Sequence, residues 1–439
     1  MPEPRRLDAR VLIRGGSVLD AGGEQRADVL VSSGSIVEVA ADLSVPRGAT
    51  VLDASGCVVA PGLVDLHAHL REPGGERAET VESGARAAAL GGYSAIVAMP
   101  NTEPTIDSAS IVRDVRELAR AAVVEVAIAG AITVGRRGEQ LAAIGEMAEL
   151  GVHLFTDDGN GVQHAGLMRR ALEYAADLGV VLAEHCEDEE LAAGGLMHEG
   201  GWSSLLGIPG QPALAEESML ARDLALVRLT GAPMHFLHLS TRGSVALLAQ
   251  ARREGLPVTA EVTPHHLTLT DAAVASYDAV FKVNPPLREA PDLEALRGAI
   301  ADGTIDAIAT DHAPHPPELK DAPFGEAPPG MIGLETALAV CYGALCLGEE
   351  PLLGLGQLFS LFTDKPARIG RLADHGGPVV AGRPANLCVF DPDEHWTVDA
   401  ASGASRSRNS PFASWPLTGK VRHTVVRGEV VVEAGKATR

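Results

Sequence analysis

The region from Val58 to Ala309 alternates short apolar runs with longer stretches rich in alanine, leucine, glutamate and arginine. This alternation limits the fold more than any other feature, because it is typical of β/α units whose strands pair in parallel. Eight such runs predict a (β/α)8 TIM-type barrel with some long loops. The predicted strands are Val58–Leu66, Ser94–Met99, Val124–Ala131, His153–Thr156, Val180–Glu184, Met234–Leu237, Val258–Val262 and Asp306–Ala309. A doubly wound open sheet is the alternative, but the sequence has no Gly-x-Gly-x-x-Gly segment after a strand and no Walker-type loop.

Both ends of the chain have a different pattern. From about residue 9 to residue 60, short alternating runs are separated by glycines and acidic turns, as in antiparallel sheets. Residues 386–390, 423–426 and 430–432 repeat this pattern near the C-terminus. We therefore predict one small β-sandwich built from both ends. Its N-terminal part would span residues 1–57 and its C-terminal part residues 371–439, with the barrel domain over residues 58–370.

Two histidines end the first predicted barrel strand. His67 and His69 are two residues apart, so on a strand their side chains share one face and can point at one ion. Arg71 follows two residues later, and its guanidinium can bind a carboxylate through two parallel hydrogen bonds. The alternative is a strand with two buried, hydrogen-bonded histidines and no metal.

Other predicted strands end in residues of the same type. The chain has 15 histidines, and random placement would rarely put them at the same end of so many strands. This set is too large for one tetrahedral zinc and suits two metal ions that share a carboxylate. The candidates besides the first pair are Asp157 and Asp158, His185, His238 with His235 as its rival, and Asp311. Taken singly, Asp311 could be a cap and Asp157–Asp158 a turn before Gly159.

The bulk composition excludes several classes of partner. The formal net charge of −22 argues against nucleic acids and anionic membranes, which need a basic surface. No window approaches the ~20 apolar residues of a membrane span, so we predict a cytoplasmic protein. The five cysteines are scattered, which indicates reduced thiols instead of a disulfide framework.

Several segments together resemble the dihydroorotases of class I within the amidohydrolase superfamily. The similarity runs from about Val58 to Ala367, and the flanking sandwich is also of that type. The segments that carry it are Asp65–Gly74, Met99–Thr102, Thr156–Gly159, Glu184–Cys186, Val283–Arg288 and Thr310–His315. Many members of the superfamily bridge their metals with a modified lysine, but none of the five lysines here lies near the fourth strand. The resemblance therefore favours Asp158 as the bridge, with Asp157 still possible.

The resemblance implies a reaction and a set of site residues. The reaction would be the reversible cyclisation of N-carbamoyl-L-aspartate to dihydroorotate plus water, with one or two Zn2+ ions activating the water. Asp311 would accept the proton of that water and pass it to the leaving nitrogen. The implied metal ligands are His67, His69, Asp158, His185, His238 and Asp311. The implied substrate-binding residues are His69, then Arg71 and Asn101 at the carboxylate, and Asn284, His315, Pro329 and Gly330 at the ring.

Two other functions remain open at this stage. Another cyclic amidase, such as a hydantoinase or allantoinase, would lack the arginine at position 71 and usually keep the lysine bridge. A non-catalytic partner of aspartate transcarbamoylase would typically have lost metal ligands. A homo-oligomer is expected, and a complex with aspartate transcarbamoylase in addition to activity remains open. The stretch from Pro314 to Gly330 is predicted to be a movable cover or a plain long loop, and Lys282 a solvated surface charge.

Overall fold

The computed structural model describes residues 10–439. The strands are β1 (Arg10–Arg14), β2 (Ser17–Asp20), β3 (Gly23–Arg26), β4 (Asp28–Ser32), β5 (Ser35–Ala40), β6 (Thr50–Asp53), β7 (Val58–Pro61), β8 (Leu63–Ala68), β9 (Tyr93–Ala98), β10 (Glu125–Gly130), β11 (Leu154–Phe155), β12 (Val181–Glu184), β13 (Met197–His198), β14 (Gly210–Gln211), β15 (Met234–Phe236), β16 (Val258–Val262), β17 (Ala307–Ile308), β18 (Leu387–Thr397), β19 (Pro416–Val426), β20 (Glu429–Glu433) and β21 (Lys436–Ala437). The α-helices are α1 (Val81–Leu90), α2 (Ala109–Leu118), α3 (Ile144–Glu149), α4 (Ala165–Leu178), α5 (Glu189–Ala192), α6 (Gly201–Leu206), α7 (Leu214–Thr230), α8 (Arg242–Arg253), α9 (Ala290–Ala301), α10 (Pro317–Lys320), α11 (Ala337–Leu345), α12 (Leu355–Phe362) and α13 (Asp364–Ile369).

Eight strands form the predicted parallel barrel. They follow one another in the order β8-β9-β10-β11-β12-β15-β16-β17, and every pair is parallel. A bridge between Ala68 and His312 brings the two ends of this sheet together, and the His69 amide donates to the His312 carbonyl over 2.8 Å. The interior is filled by small and branched side chains such as Val64, Val97 and Ala129, and a larger apolar layer packs the helices against the strands. The barrel prediction is confirmed.

The two chain ends form the predicted sandwich. One sheet has the order β5-β4-β1-β6, and the other has the order β21-β20-β19-β18-β7-β2-β3, which combines strands from both ends. Val11, Ile13 and Val59 pack with Leu387 and Val425 in one core between the sheets. The division of the chain into domains at residues 57/58 and 370/371 stays a prediction.

The single strand that we predict from Val58 to Leu66 is in fact two strands. β7 pairs with β18 and β2 in the sandwich, whereas β8 starts the barrel. The break falls at Pro61-Gly62, where proline has no amide hydrogen to continue a ladder. A Cβ on Gly62 would lie 2.5 Å from the Ser94 side chain, so only glycine fits this close approach. No helix within residues 10–439 is long and apolar enough to cross a membrane.

Candidate metal centre

The candidate ligands lie at the carboxyl ends of five barrel strands. His67 belongs to β8 and His69 follows it directly, while His185 is the first residue after β12. His238 and Asp311 come shortly after β15 and β17, and both have positive backbone φ angles, 29° and 45°. Such φ values are uncommon outside glycine and are found where the surrounding structure holds a functional side chain in place.

Asp158 lies at the centre of this group and faces two pairs of histidines. One carboxylate oxygen, Oδ2, is 3.4 Å from His67 Nε2 and 3.5 Å from His69 Nε2. The other, Oδ1, is 3.4 Å from both His185 Nδ1 and His238 Nε2. Each oxygen with its two ring nitrogens forms a group compact enough to hold one ion. Asp158 is therefore shared by two adjacent groups, each of which could hold an ion.

Asp311 approaches the first of these positions from β17. Its Oδ1 atom is 3.0 Å from His69 Nε2 and 3.6 Å from His67 Nε2. Asp65 fixes the residue before Asp311, because its carboxylate accepts hydrogen bonds from the Thr310 amide at 2.9 Å and the Thr310 hydroxyl at 2.5 Å. All six predicted ligands therefore lie in one buried cluster.

The hydrogen bonds of two histidines show that this cluster is built for a cation. Glu261 can only accept from His67 Nδ1, 3.0 Å away, so in the neutral ring the lone pair of His67 lies on Nε2. Likewise His69 Nδ1 donates to Asn101 Oδ1 at 2.9 Å, which leaves the lone pair of His69 on Nε2. Both lone pairs point at carboxylate oxygens, and His67 Nε2 is buried without a hydrogen-bond partner. A metal ion between them would satisfy every one of these groups, so the donor set fits.

The pKa shifts within the cluster also indicate a site for a cation. Burial disfavours a charged imidazole at His67, but the carboxylates, Asp158 first among them, outweigh it and raise the pKa of His67 well above its ordinary value. Burial also disfavours a charged imidazole at His185, but Asp158 and Glu187 outweigh this effect and raise the pKa of His185 to about 10. Burial would raise the pKa of Asp158 and of Asp311, yet the surrounding histidines lower both. The negative charge gathered here needs either protons or metal ions to balance it.

Glu261 is a supporting residue that sequence reasoning missed. It lies on β16, is fully buried, and accepts from His67 Nδ1 at 3.0 Å and from His235 Nε2 at 3.1 Å. Burial alone would raise its pKa, but these two histidines lower the pKa of Glu261 to about 2. His235, the rival of His238, therefore belongs to this support and not to the ligand cluster. An isolated Glu-Val at a strand end carries no signal that could have revealed this pairing.

Asp157 faces away from the cluster. It accepts from the amides of Ile132 and Thr133 at 2.9 and 3.0 Å, and from the Thr133 hydroxyl. The two neighbouring aspartates thus have separate surroundings, because adjacent residues of an extended segment point to opposite sides. Asp157 ties together the segments that follow β10 and β11.

A further group of metal-type residues consists of His198, Glu289 and Asp292. Here Arg288 Nη1 lies 3.1 Å from His198 Nδ1, and a guanidinium can only donate. The hydrogen of neutral His198 is therefore on Nε2, and since its Nδ1 lone pair accepts from Arg288, the ring has no lone pair free for an ion. The buried Arg288 supplies the positive charge for this group instead.

Several predicted substrate residues surround the metal centre. Arg71, at a backbone φ of 61°, donates from Nε to the Pro314 carbonyl at 3.2 Å. Asn101 contacts His69 as described above, and Asn284 Nδ2 lies 3.4 Å from His185 Nε2. Both asparagines are only partly buried, so they border the space in front of the ligands.

His315, Pro329 and Gly330 form a second part of this border. His315 Nε2 donates to the Pro329 carbonyl at 2.8 Å. Gly330 has a φ of 143°, and a Cβ there would lie 2.8 Å from His315 Nε2, so this position requires glycine. The Gly330 amide donates to the Lys282 carbonyl at 2.8 Å. Lys282 itself is buried, so our prediction that it is a solvated surface charge is wrong.

Sequence comparisons with known proteins agree on one family. A protein-family profile described as "Dihydro-orotase-like" matches residues 56–244. Dihydroorotase from Mycobacterium tuberculosis (strain ATCC 25618 / H37Rv) is 48% identical over 429 residues, which are 97% of this chain and 99% of that protein. Dihydroorotase from Streptomyces coelicolor is 48% identical over 433 residues, covering 98% of this chain and all of that protein.

Among solved structures, the L-hydantoinase (dihydropyrimidinase) from Arthrobacter aurescens has the same fold. It superposes with a TM-score of 0.87 at 27% sequence identity, and the match covers 98% of this chain and 97% of that one. The likeness includes the sandwich as well as the barrel, since nearly the whole of both chains is aligned.

Proposed function

The chain belongs to the dihydroorotase family, and from that premise we propose that it interconverts N-carbamoyl-L-aspartate and (S)-dihydroorotate in pyrimidine biosynthesis. The chain is a metal-dependent cyclic amidohydrolase by family and fold. The observation that carries the proposal is the pairing of a two-position metal cluster with Arg71 and Asn101 beside it. A cluster of this type hydrolyses amides, and the arginine favours a substrate that bears a carboxylate.

We propose Zn2+ as the metal, with one or two ions per subunit, because imidazole and carboxylate ligands suit zinc in hydrolytic enzymes. His67 and His69 would hold one ion, His185 and His238 the other, and Asp158 both. When bound, the ions would lower the pKa of a water molecule and polarise the ring carbonyl.

The substrate carboxylate would bind to Arg71 and Asn101. Asn101 uses its oxygen to accept from His69, which leaves its amide group free to donate. Arg71 uses Nε on the Pro314 carbonyl, which leaves its two terminal nitrogens free. These donors give the site local positive charge, although the chain as a whole carries a formal net charge of −22.

The ring would lie between Asn284 and the segment around His315. Burial, together with the charge of Arg71, lowers the pKa of His315 to about 3, so its ring is neutral at pH 7. Since Nε2 donates to the Pro329 carbonyl, Nδ1 is free to accept a ring N–H. Gly330 would leave room for the ring because it has no side chain. Its amide would not bind the ring, because it already donates to the Lys282 carbonyl.

Asp311 would carry the proton. In hydrolysis it would take the proton of the attacking water and deliver it to the leaving ring nitrogen, and in cyclisation each transfer would reverse. Its 3.0 Å contact with His69, which would hold the first ion, supports this role.

The direct test is turnover by the purified protein in both directions. We expect hydrolysis of dihydroorotate and cyclisation of N-carbamoyl-L-aspartate, loss of both on chelation, and recovery with Zn2+ alongside one to two bound ions per chain. Absence of turnover in the fully metal-loaded protein would contradict the proposal.

A hydantoinase-type activity is the second candidate, favoured by the fold shared with the Arthrobacter aurescens L-hydantoinase. Arg71→Ala distinguishes the two. We expect it to lower kcat/KM for dihydroorotate by at least about 100-fold, the cost of removing a charged contact of about 3 kcal/mol. Any turnover of an uncharged hydantoin should change far less, and an equal loss on both substrates would assign Arg71 a structural role.

Assembly remains part of the proposal. We propose a homo-oligomer and allow a complex with aspartate transcarbamoylase, as the family resemblance implies. Activity of the isolated chain would exclude a scaffold-only role, and size-exclusion chromatography with light scattering would give the oligomeric state. Cytoplasmic location stays a prediction from the sequence.

A further inference from the structure

Lys282 and Lys320 are both buried, and each donates to backbone carbonyls alone. Lys320 Nζ lies 3.0 Å from the Pro328 carbonyl, 3.0 Å from that of Gly330 and 3.3 Å from that of Lys282, which matches its three N–H groups. Lys282 Nζ donates to the Phe324 carbonyl at 2.8 Å and the Gly325 carbonyl at 3.2 Å. Within residues 10–439, neither ammonium group forms an ion pair with a carboxylate.

The composition of the surrounding segment explains why ammonium groups are needed there. Residues 314–330 contain six prolines, and each proline supplies a carbonyl oxygen but no N–H. The segment forms only one short helix, α10, so many of its carbonyls have no amide partner within secondary structure. Buried carbonyls without donors destabilise a fold. The two lysines supply the missing donors.

These contacts join the two parts of the proposed ring-binding wall. Lys282 is two residues from Asn284, and its carbonyl accepts from both the Gly330 amide at 2.8 Å and Lys320 Nζ. Asn409 Nδ2 also donates to the Gly330 carbonyl, at 3.0 Å. Every backbone polar group of Gly330 is therefore engaged. Burial, followed by the like charge of Lys282, lowers the pKa of Lys320 to about 8, as expected for a desolvated ammonium group.

We propose that Lys282 and Lys320 are positioning residues that hold Asn284 and the Pro329–Gly330 backbone at a fixed separation for the substrate ring. The proposal rests on the proposed function for the identity of that ring. It also implies that residues 314–330 form a fixed wall of the site and not a cover that opens in each turnover. Two of the five lysines of the chain serve this one segment.

Hydrogen exchange on the wild-type protein tests the fixed wall without any substrate. We expect the Gly330 amide to exchange as slowly as amides of the barrel strands, because it is buried and bonded to Lys282. Exchange at the rate of an open loop would overturn the proposal. This readout does not depend on activity, so it separates a failure here from a failure of the proposed function.

Lys320→Met tests the positioning role, since it keeps the apolar stem and removes the three donors. We expect KM for dihydroorotate to rise at least about tenfold, while kcat changes less and metal content stays at the wild-type level. Lys320→Arg, which keeps charge and donors, should recover part of the loss. Lys436→Met, at an exposed position, is the matched control and should leave KM unchanged.

Lys282→Met provides a second test of the positioning role if Lys320→Met does not fold. It should release residues 324–325, raise KM in the same way and increase proteolytic cleavage between residues 314 and 330. A wild-type KM and an uncut segment in a well-folded Lys282→Met or Lys320→Met protein would overturn the positioning role.

Discussion

The proposed proton transfer depends on one residue, Asp311, which lies shortly after the end of β17. Asp311→Asn keeps the shape of the side chain but removes its ability to accept a proton. We expect kcat to fall by about 10²- to 10⁴-fold or more, with unchanged circular dichroism. Asp157→Asn is the matched control at a buried aspartate that faces away from the ligand cluster, and it should affect stability more than metal content. Near-normal turnover by Asp311→Asn would remove the aspartate from the mechanism.

Glu261 acts on the metal centre through His67. Glu261→Gln would weaken the hydrogen bond that orients the His67 ring and keeps its Nε2 lone pair facing Asp158. We expect metal affinity to fall by about 10- to 100-fold, measured by competition with a chromophoric chelator. Glu349→Gln, at an exposed position, serves as control. Unchanged affinity in Glu261→Gln would show that packing alone holds the His67 ring.

These residues also show which parts of the site can be predicted from the sequence. The positions of His67, His185 and Asp311 at strand ends were predictable, because periodicity locates strands and parallel strands share one carboxyl end. Glu261 and Lys282 were not, since their roles depend on partners far away in the chain. The ammonium group of Lys282, for example, donates to the carbonyls of residues 324–325, about 40 positions away in the chain.

At the scale of elements, a buried carboxylate joins the barrel to the C-terminal segment. Glu79, just before α1, accepts from the Ser405 hydroxyl, from the Arg406 amide at 3.1 Å and from His312 Nε2 at 3.2 Å. His312 is the residue whose carbonyl binds the His69 amide. The segment that closes the barrel is thereby fixed to residues 405–406, although nothing in the local sequence of either part indicates this.

Glu79→Ala should therefore destabilise the protein strongly. It leaves His312 and several donors buried without their acceptor, and we expect a loss of about 3–5 kcal/mol in the free energy of unfolding. Glu82→Ala, on the exposed side of α1, breaks only a surface pair with Arg86 and should cost less than about 1 kcal/mol. Denaturant unfolding of both variants measures the difference, and equal values would mean that Glu79 contributes no more than a surface pair.

The first predicted barrel strand shows a second limit of sequence reasoning about elements, since it is two strands in the structure. Periodicity cannot distinguish one long apolar strand from two consecutive strands that enter different sheets. Pro61-Gly62 was the available local signal, because this dipeptide both ends a ladder and permits the close approach to Ser94.

For the whole molecule, the formal net charge of −22 opposes the approach of an anionic substrate. Raising the ionic strength from about 0.01 M to about 0.15 M shortens the screening length from about 30 Å to about 8 Å. We expect kcat/KM for N-carbamoyl-L-aspartate, which has two carboxylates, to increase by about two- to fivefold. Dihydroorotate has one carboxylate and should respond less. A decrease for both would mean that the local charge of Arg71 dominates the encounter.

The pairing of β7 with β18 has a consequence for synthesis on the ribosome. β7 leaves the exit tunnel well before its partner β18, because the whole barrel from β8 to β17 is translated between them. Until β18 emerges, the edge of β7 that β18 will cover stays unpaired, and such edges promote aggregation. A dependence on chaperones during translation follows from this topology, and ribosome pausing between β17 and β18 would lengthen the interval in which this edge is exposed.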